Sequence, residues 1–151
     1  MATHIVQHQL LQAVVALLQA APAVAELVQE ERDESAGFAV ASLVDVSVPS
    51  SEPDGQGLSL SPVMWASTVR LAIYGRAGDG ITARAAASPI VAACYARLMA
   101  DTTLAAAGFQ MDGPPTMPEL NGTEAQDRIG AVLLQWRFLH RSAWADLTVA
   151  A

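Results

Sequence analysis

Two stretches of alternating hydrophobicity, with a helix pattern of small residues between them, constrain this chain more than anything else in it. From Val63 to Arg76, Trp65, Val69, Leu71 and Ile73 fall on one side of an extended backbone, and Thr68, Arg70, Tyr74 and Arg76 on the other. From Arg128 to Ser142, Val132, Leu134, Trp136 and Phe138 share one side, and Gln135, Arg137 and Arg141 the other. Period two means a strand with one dry face. The intervening Ile81–Met99 segment carries Ala85, Ile90, Val91, Ala93, Cys94 and Leu98 as an apolar face at helical spacing. Strands with one dry face must bury it against another layer. The expected class is α+β, a mixed or antiparallel sheet flanked by helices.

The remaining elements are read from the same periodicities. Thr3 is placed to cap a helix from His4 to about Ala20, with Val6, Leu10, Val14, Leu17 and Leu18 as its apolar stripe. Pro22 suits the first turn of a second short helix, Ala23–Val28. The acidic stretch Gln29–Ser35 leads outward to a strand over Phe38–Val48, whose alternating apolar residues are Phe38, Val40, Val44, Val46 and Val48. Pro49–Gly57 is dense in turn residues, so a mobile loop is expected over about 49–62.

Further on, Gly75, Gly78 and Gly80 end the second strand and Asp79 is placed to cap the helix that follows. Pro89 removes one hydrogen bond inside that helix and is expected to kink it or split it at Ser88. Asp101 caps a turn that docks Leu104, Gly108–Met111 forms a short strand, and residues 112–118 break it. The sequon at Asn121 is incidental in a cytoplasmic chain. The last strand is long enough to project beyond its neighbours and pair with another chain.

Length and charge bound the function. A chain of 151 residues is read as one domain, residues 1–151, burying roughly 70% of its unfolded surface. With 52% hydrophobic and 15% charged residues there is little polar material to cover a monomer, which favours oligomerisation. The net charge of −7 lies wholly in the first half, where eight acids face Arg32 alone; seven acids and seven arginines balance in the rest. Lysine is absent, so a basic nucleic-acid footprint or polybasic membrane anchor is not expected. Cys94 is the only cysteine, so no intrachain disulfide can form and a reducing, cytoplasmic setting is expected. The apolar run Leu10–Val28 lacks a basic leader and is interrupted by Gln12, Gln19 and Glu26, against a signal peptide or a membrane span.

Candidate chemistry is thin. His4 and His8 stand four apart, the spacing that puts two imidazoles on one helix face, but no carboxylate beside them completes a metal set. His140 lies near Arg137 and Arg141 in the last strand and reads as a packed or surface residue rather than a general base. The glycines lack dinucleotide spacing and no nucleophile elbow is present. No catalytic, cofactor or metal residues are therefore assigned. The acidic cluster Glu30, Glu31, Asp33 and Glu34 is either a solvated loop or an electrostatic patch, for a partner or for repelling DNA.

The succession of an N-terminal amphipathic helix, the Trp65–Arg76 strand, an Ala-rich helix ending in Leu98–Leu104 and the terminal strand Ala131–Phe138 resembles the tail terminator, or tail completion, proteins of long-tailed bacteriophages. The resemblance spans most of the chain and rests on order and spacing rather than on a short signature. It implies a non-enzymatic virion subunit, assembled in the host cytoplasm, that forms a hexameric ring at the neck-proximal end of the tail. The ring caps the tail tube protein, ends tube polymerisation and docks the head–tail connector, while DNA passes its lumen without specific binding. A closed ring needs two unlike surfaces. Arg70, Arg76, Arg137 and Arg141 are the expected counterparts of Glu30, Glu31, Asp33 and Glu34 across subunits. A head-closure or neck connector ring is the alternative within this class, and a small enzyme or ligand-binding domain is the alternative outside it.

Overall fold

The structure, a computed structural model, describes residues 4–30, 42–55, 62–76, 78, 80–118, 132–143 and 146–150. Three helices and six strands form an α+β domain with one curled mixed sheet: α1 (Val6–Gln19), β1 (Leu27–Glu30), β2 (Ser42–Pro53), β3 (Val63–Gly75), α2 (Ala83–Ala100), α3 (Thr103–Ala106), β4 (Gln110–Met111), β5 (Val132–Ala143) and β6 (Asp146–Ala150). The sheet order is β1-β2-β3-β5-β4, with β6 also on β5. Among the described residues β1–β2 is the parallel pairing and the others are antiparallel.

Register puts the expected dry residues together. Val44 faces Ile73 and Val46 faces Leu71, while Leu71 faces Leu134 and Val69 faces Trp136. On this face α1 packs Val6, Leu10, Val14 and Leu18, and α2 packs Ala87, Cys94 and Leu98. Each side chain so buried contributes about 1.5–3 kcal/mol for the larger aliphatics, which is why the pattern, once set, fixes the register. Burial also pushes the Cys94 thiol up to about 12, partly opposed by the nearby Arg97 charge.

Several expectations need correction. The segment read as a second short helix, Ala23–Val28, overlaps β1 at Leu27 and Val28, which pair with Leu43 and Val44; a strand of four residues is too short for its period to be told from a helix. The loop expected at about 49–62 is strand as far as Pro53, because a register shift between Ser47 and Ser50 takes Pro49 out of the ladder, where its missing donor costs nothing. β6 was not anticipated. At α2 the cap is Thr82, whose hydroxyl oxygen accepts from the Ala85 N–H. Pro89 lies inside α2, which runs unbroken past it; Pro89 and Ala85, whose carbonyl loses its partner, are both exposed. The buried face of α2 is Ala83, Ala87, Cys94 and Leu98, leaving Ala85 and Ala93 in solvent. α1 starts two residues later than expected and has no side-chain cap. Thr3, Phe38, Val40, Asp79, Asn121 and Arg128 lie outside the described residues.

Two contacts dock the helices. A Cβ on Gly75 would lie 2.5 Å from Ala87 N and 2.7 Å from Ala86 C, so α2 meets β3 at a point where only glycine fits. Arg97 of α2 donates from Nη1 to the carbonyl oxygens of Leu17, Leu18 and Ala20 (3.3, 3.2 and 2.8 Å) and from Nη2 to that of Pro22 (2.5 Å). These are carbonyls at and just beyond the end of α1, which a cation suits. Asp101 caps α3 as expected, accepting from Leu104 N–H and the Thr103 hydroxyl; burial raises its carboxyl, and these bonds outweigh that and lower it.

Candidate functional site

The sheet face opposite the helices carries three of the six arginines among the described residues. Alternation along β3 and β5 puts Arg70, Arg137 and Arg141 on this face, paired in register with Gln135, Thr68 and Met64. Arg76 is exposed just past the end of β3. With its amide oxygen turned to Arg70, Gln135 accepts from Nη2 and Nε at 2.9 Å each. Next to them Gln29 donates to Asp45 at 2.8 Å.

Arg137 is a clamp across the sheet. Nη1 pairs with Asp112, just beyond β4, and Nη2 with Asp54, just beyond β2, at 3.1 Å. The Asp112 N–H also donates to the Arg137 carbonyl at 2.8 Å. The hydrogen bond to Asp112 raises the guanidinium above its ordinary value, burial opposes this slightly, and Asp54 adds to it. All three side chains are well exposed, so the pairs set geometry more than stability.

Glu30 sits elsewhere. It ends β1 on the helix side, 3.8 Å from Nε2 of His8, whose ring lies 4.6 Å from that of His4. Within one chain it does not approach Arg70, Arg137 or Arg141, which lie on the other side of the sheet. Glu31, Asp33 and Glu34 lie outside the described residues. No group of three or more His, Cys, Asp and Glu among the described residues is placed to hold a metal ion.

Inside the domain, at the far end of the helix face, a polar chain crosses three strands. Ser51 Oγ lies 2.5 Å from Ser67 Oγ, which lies 2.6 Å from His140 Nε2. Beside it Trp65 Nε1 donates to Ser142 Oγ at 2.8 Å, and Phe109 meets the His140 ring edge-on at 5.7 Å. Ser67 and His140 have the spacing of a nucleophile and its base. Ser67 is 0% and His140 2% exposed, however, and His140 Nδ1 has no partner among the described residues to orient the ring. Desolvation alone lowers the imidazole below its ordinary value, so the ring is neutral; of the packed and surface placements the sequence left open, the structure shows the packed one. Ser51, Ser67, Asp54, Asp112 and Arg97 were not singled out beforehand. Only Ser67 carried a signal, being polar at a dry position of β3.

Among the described residues no helix is long and apolar enough to cross a membrane. No family model matches the chain, and no curated protein does.

Proposed function

We propose that this chain is a ring-forming structural subunit of a phage tail, capping the tail tube protein, ending its polymerisation and presenting a face to the head–tail connector. The observation that carries this reading is the arrangement of the elements. β2, β3 and β5 form one curled sheet with α1 and α2 on one face and an arginine-bearing face opposite, which is what the resemblance to tail terminators implies. Its chemistry is that of a scaffold. The Ser67–His140 pair is sealed in the core, and Arg137 is held by Asp54 and Asp112. A homo-oligomer, hexameric by the same resemblance, brings together subunits of charge −7, and DNA passes such a lumen without phosphate contacts that would hold it. The subunit assembles in the host cytoplasm and ends in the virion at the neck-proximal end of the tail.

The test is to assemble tail tubes with and without the protein, measuring tube length and the ability to join heads. Overlong tubes in its absence, and capped tubes of uniform length in its presence, are expected. Tubes of normal, head-competent length without it would sink the reading and favour a head-closure ring.

A further inference from the structure

The sequence leaves His4 and His8 without a carboxylate beside them, and the fold supplies one. His4 stands just before α1 and His8 in its first turn, with ring centroids 4.6 Å apart and planes inclined at 47°. Glu30, the last residue of β1, brings Oε1 to 3.8 Å from His8 Nε2. The backbone that carries these side chains is held in place. Gln9 Nε2 donates to the His4 carbonyl at 2.8 Å and to the Thr148 carbonyl of β6 at 3.0 Å, and the His8 N–H donates to the Ile5 carbonyl at 3.0 Å. Glu30 is fixed opposite Val46 in the parallel ladder of β1 and β2.

The spacing of the rings suits a shared ion. Two imidazoles on one ion at about 2.05 Å have centroids roughly 4.5–5.2 Å apart over the angles of octahedral and tetrahedral coordination, and the observed 4.6 Å lies within that span. The carboxylate stands further off. Two donors on one tetrahedral ion are roughly 3.3 Å apart, against 3.8 Å between His8 Nε2 and Glu30 Oε1, so the three side chains do not enclose a common point as they stand. The His8 and Glu30 side chains are 32% and 46% exposed, and a turn about their own bonds closes the difference.

We propose that His4, His8 and Glu30 form a site for a divalent ion of the zinc class, drawn closed by the ion itself. Imidazole nitrogen with one carboxylate oxygen favours ions of this borderline class over magnesium and calcium, which take oxygen donors. Glu30 is needed for charge as well as for its oxygen. The ion lies at the N-terminal turn of α1, where the helix dipole is positive and the turn holds no acid of its own. The carboxylate offsets that end, and a chain of net charge −7 draws cations toward it. Bound there, the ion ties the start of α1 to the end of β1 and leaves a coordination position to water. The site stands whether or not the chain forms a ring.

The experiment measures Zn2+ binding by titration calorimetry to the full chain, freed of metal with EDTA and dialysed, with Mg2+ in excess throughout. Wild type is expected to bind one Zn2+ per chain, and its urea unfolding midpoint to rise when Zn2+ is added. His4→Gln and His8→Gln should each weaken binding by at least about tenfold, and Glu30→Gln by about threefold to tenfold. Circular dichroism verifies that each variant folds. His4 is exposed and lies outside α1, so its variant carries the test if His8→Gln does not fold. A wild type that takes up no Zn2+ overturns the site. Binding that all three variants retain unchanged marks an adventitious ion elsewhere and overturns it too. Loss in the histidine variants with Glu30→Gln at wild-type affinity overturns the three-donor set.

Discussion

Ser67 Oγ and His140 Nε2 lie 2.6 Å apart on adjacent strands, although the residue opposite His140 in the ladder is Trp65. The bond is a diagonal one, and it leaves the second ring nitrogen buried without a partner among the described residues. Either neutral tautomer satisfies Nε2. Protonation would add a charge and make Nδ1–H a donor without an acceptor in the same dry place.

Stability is therefore expected to depend on pH through His140. Its folded-state value is lowered by desolvation from the ordinary 6.5, so the unfolded chain binds the proton more readily. The contribution is fully present above about pH 7 and falls as pH drops through 6.5, at up to about 1.4 kcal/mol per unit, until the folded-state value is reached. Urea unfolding from pH 7.5 to 5 should show that slope in wild type and lose it in His140→Gln. Parallel slopes in the two proteins would mean that the ring is charged or solvated in the folded state.

Arg97 is expected to hold α2 against α1. Arg97→Ala leaves four carbonyls without the guanidinium and should cost about 1–2 kcal/mol, the low end for bonds to a charged group because Ala20 and Pro22 are exposed. Arg97→Lys should recover less than half of this, since a single ammonium cannot span the fork. Unfolding free energies of the three proteins test it; a lysine variant as stable as wild type would reduce the interaction to simple charge at a helix end.

The central strands were legible because burial on one face imposes period two. Trp65, Val69, Leu71 and Ile73 of β3, and Leu134, Trp136 and Phe138 of β5, lie on the helix side as read, and Arg70, Arg137 and Arg141 lie opposite. Edges were not legible. β1 has four residues and β6 five, too few for a period to declare itself, and Pro49 reads as a breaker until the bulge beside it is known. The contacts that shape the candidate surface are less local still. Arg137 finds Asp54 and Asp112, and Arg97 finds the end of α1, through tertiary placement that no spacing in the chain encodes.

Gly75→Ala is expected to destabilise the fold by about 1–3 kcal/mol, the usual cost of overpacking. The added methyl would meet Ala87 N, Ala86 C and Ala83 O, all backbone atoms that a change of rotamer cannot move. The backbone here has no positive φ, so strain of conformation does not contribute. Adding Ala87→Gly should bring no rescue, because the conflict is with the helix main chain. Denaturation midpoints of the single and double variants decide this; a neutral Gly75→Ala would show that α2 slides freely on β3.

Trp136 fills the centre of the core opposite Val69 and is 0% exposed. Trp136→Ala is expected to cost about 3–5 kcal/mol, from lost burial and the cavity left behind. Its indole N–H, however, is buried without a partner among the described residues, so part of the gain from burying the ring is offset by an unsatisfied donor. Trp136→Phe removes that donor and keeps most of the ring, and should cost about 1–2 kcal/mol, much less than the alanine change. Unfolding curves for both variants make the comparison. A phenylalanine variant as unstable as the alanine one would show that the indole nitrogen does find a hydrogen bond in solution, through a buried water or a segment folded against it.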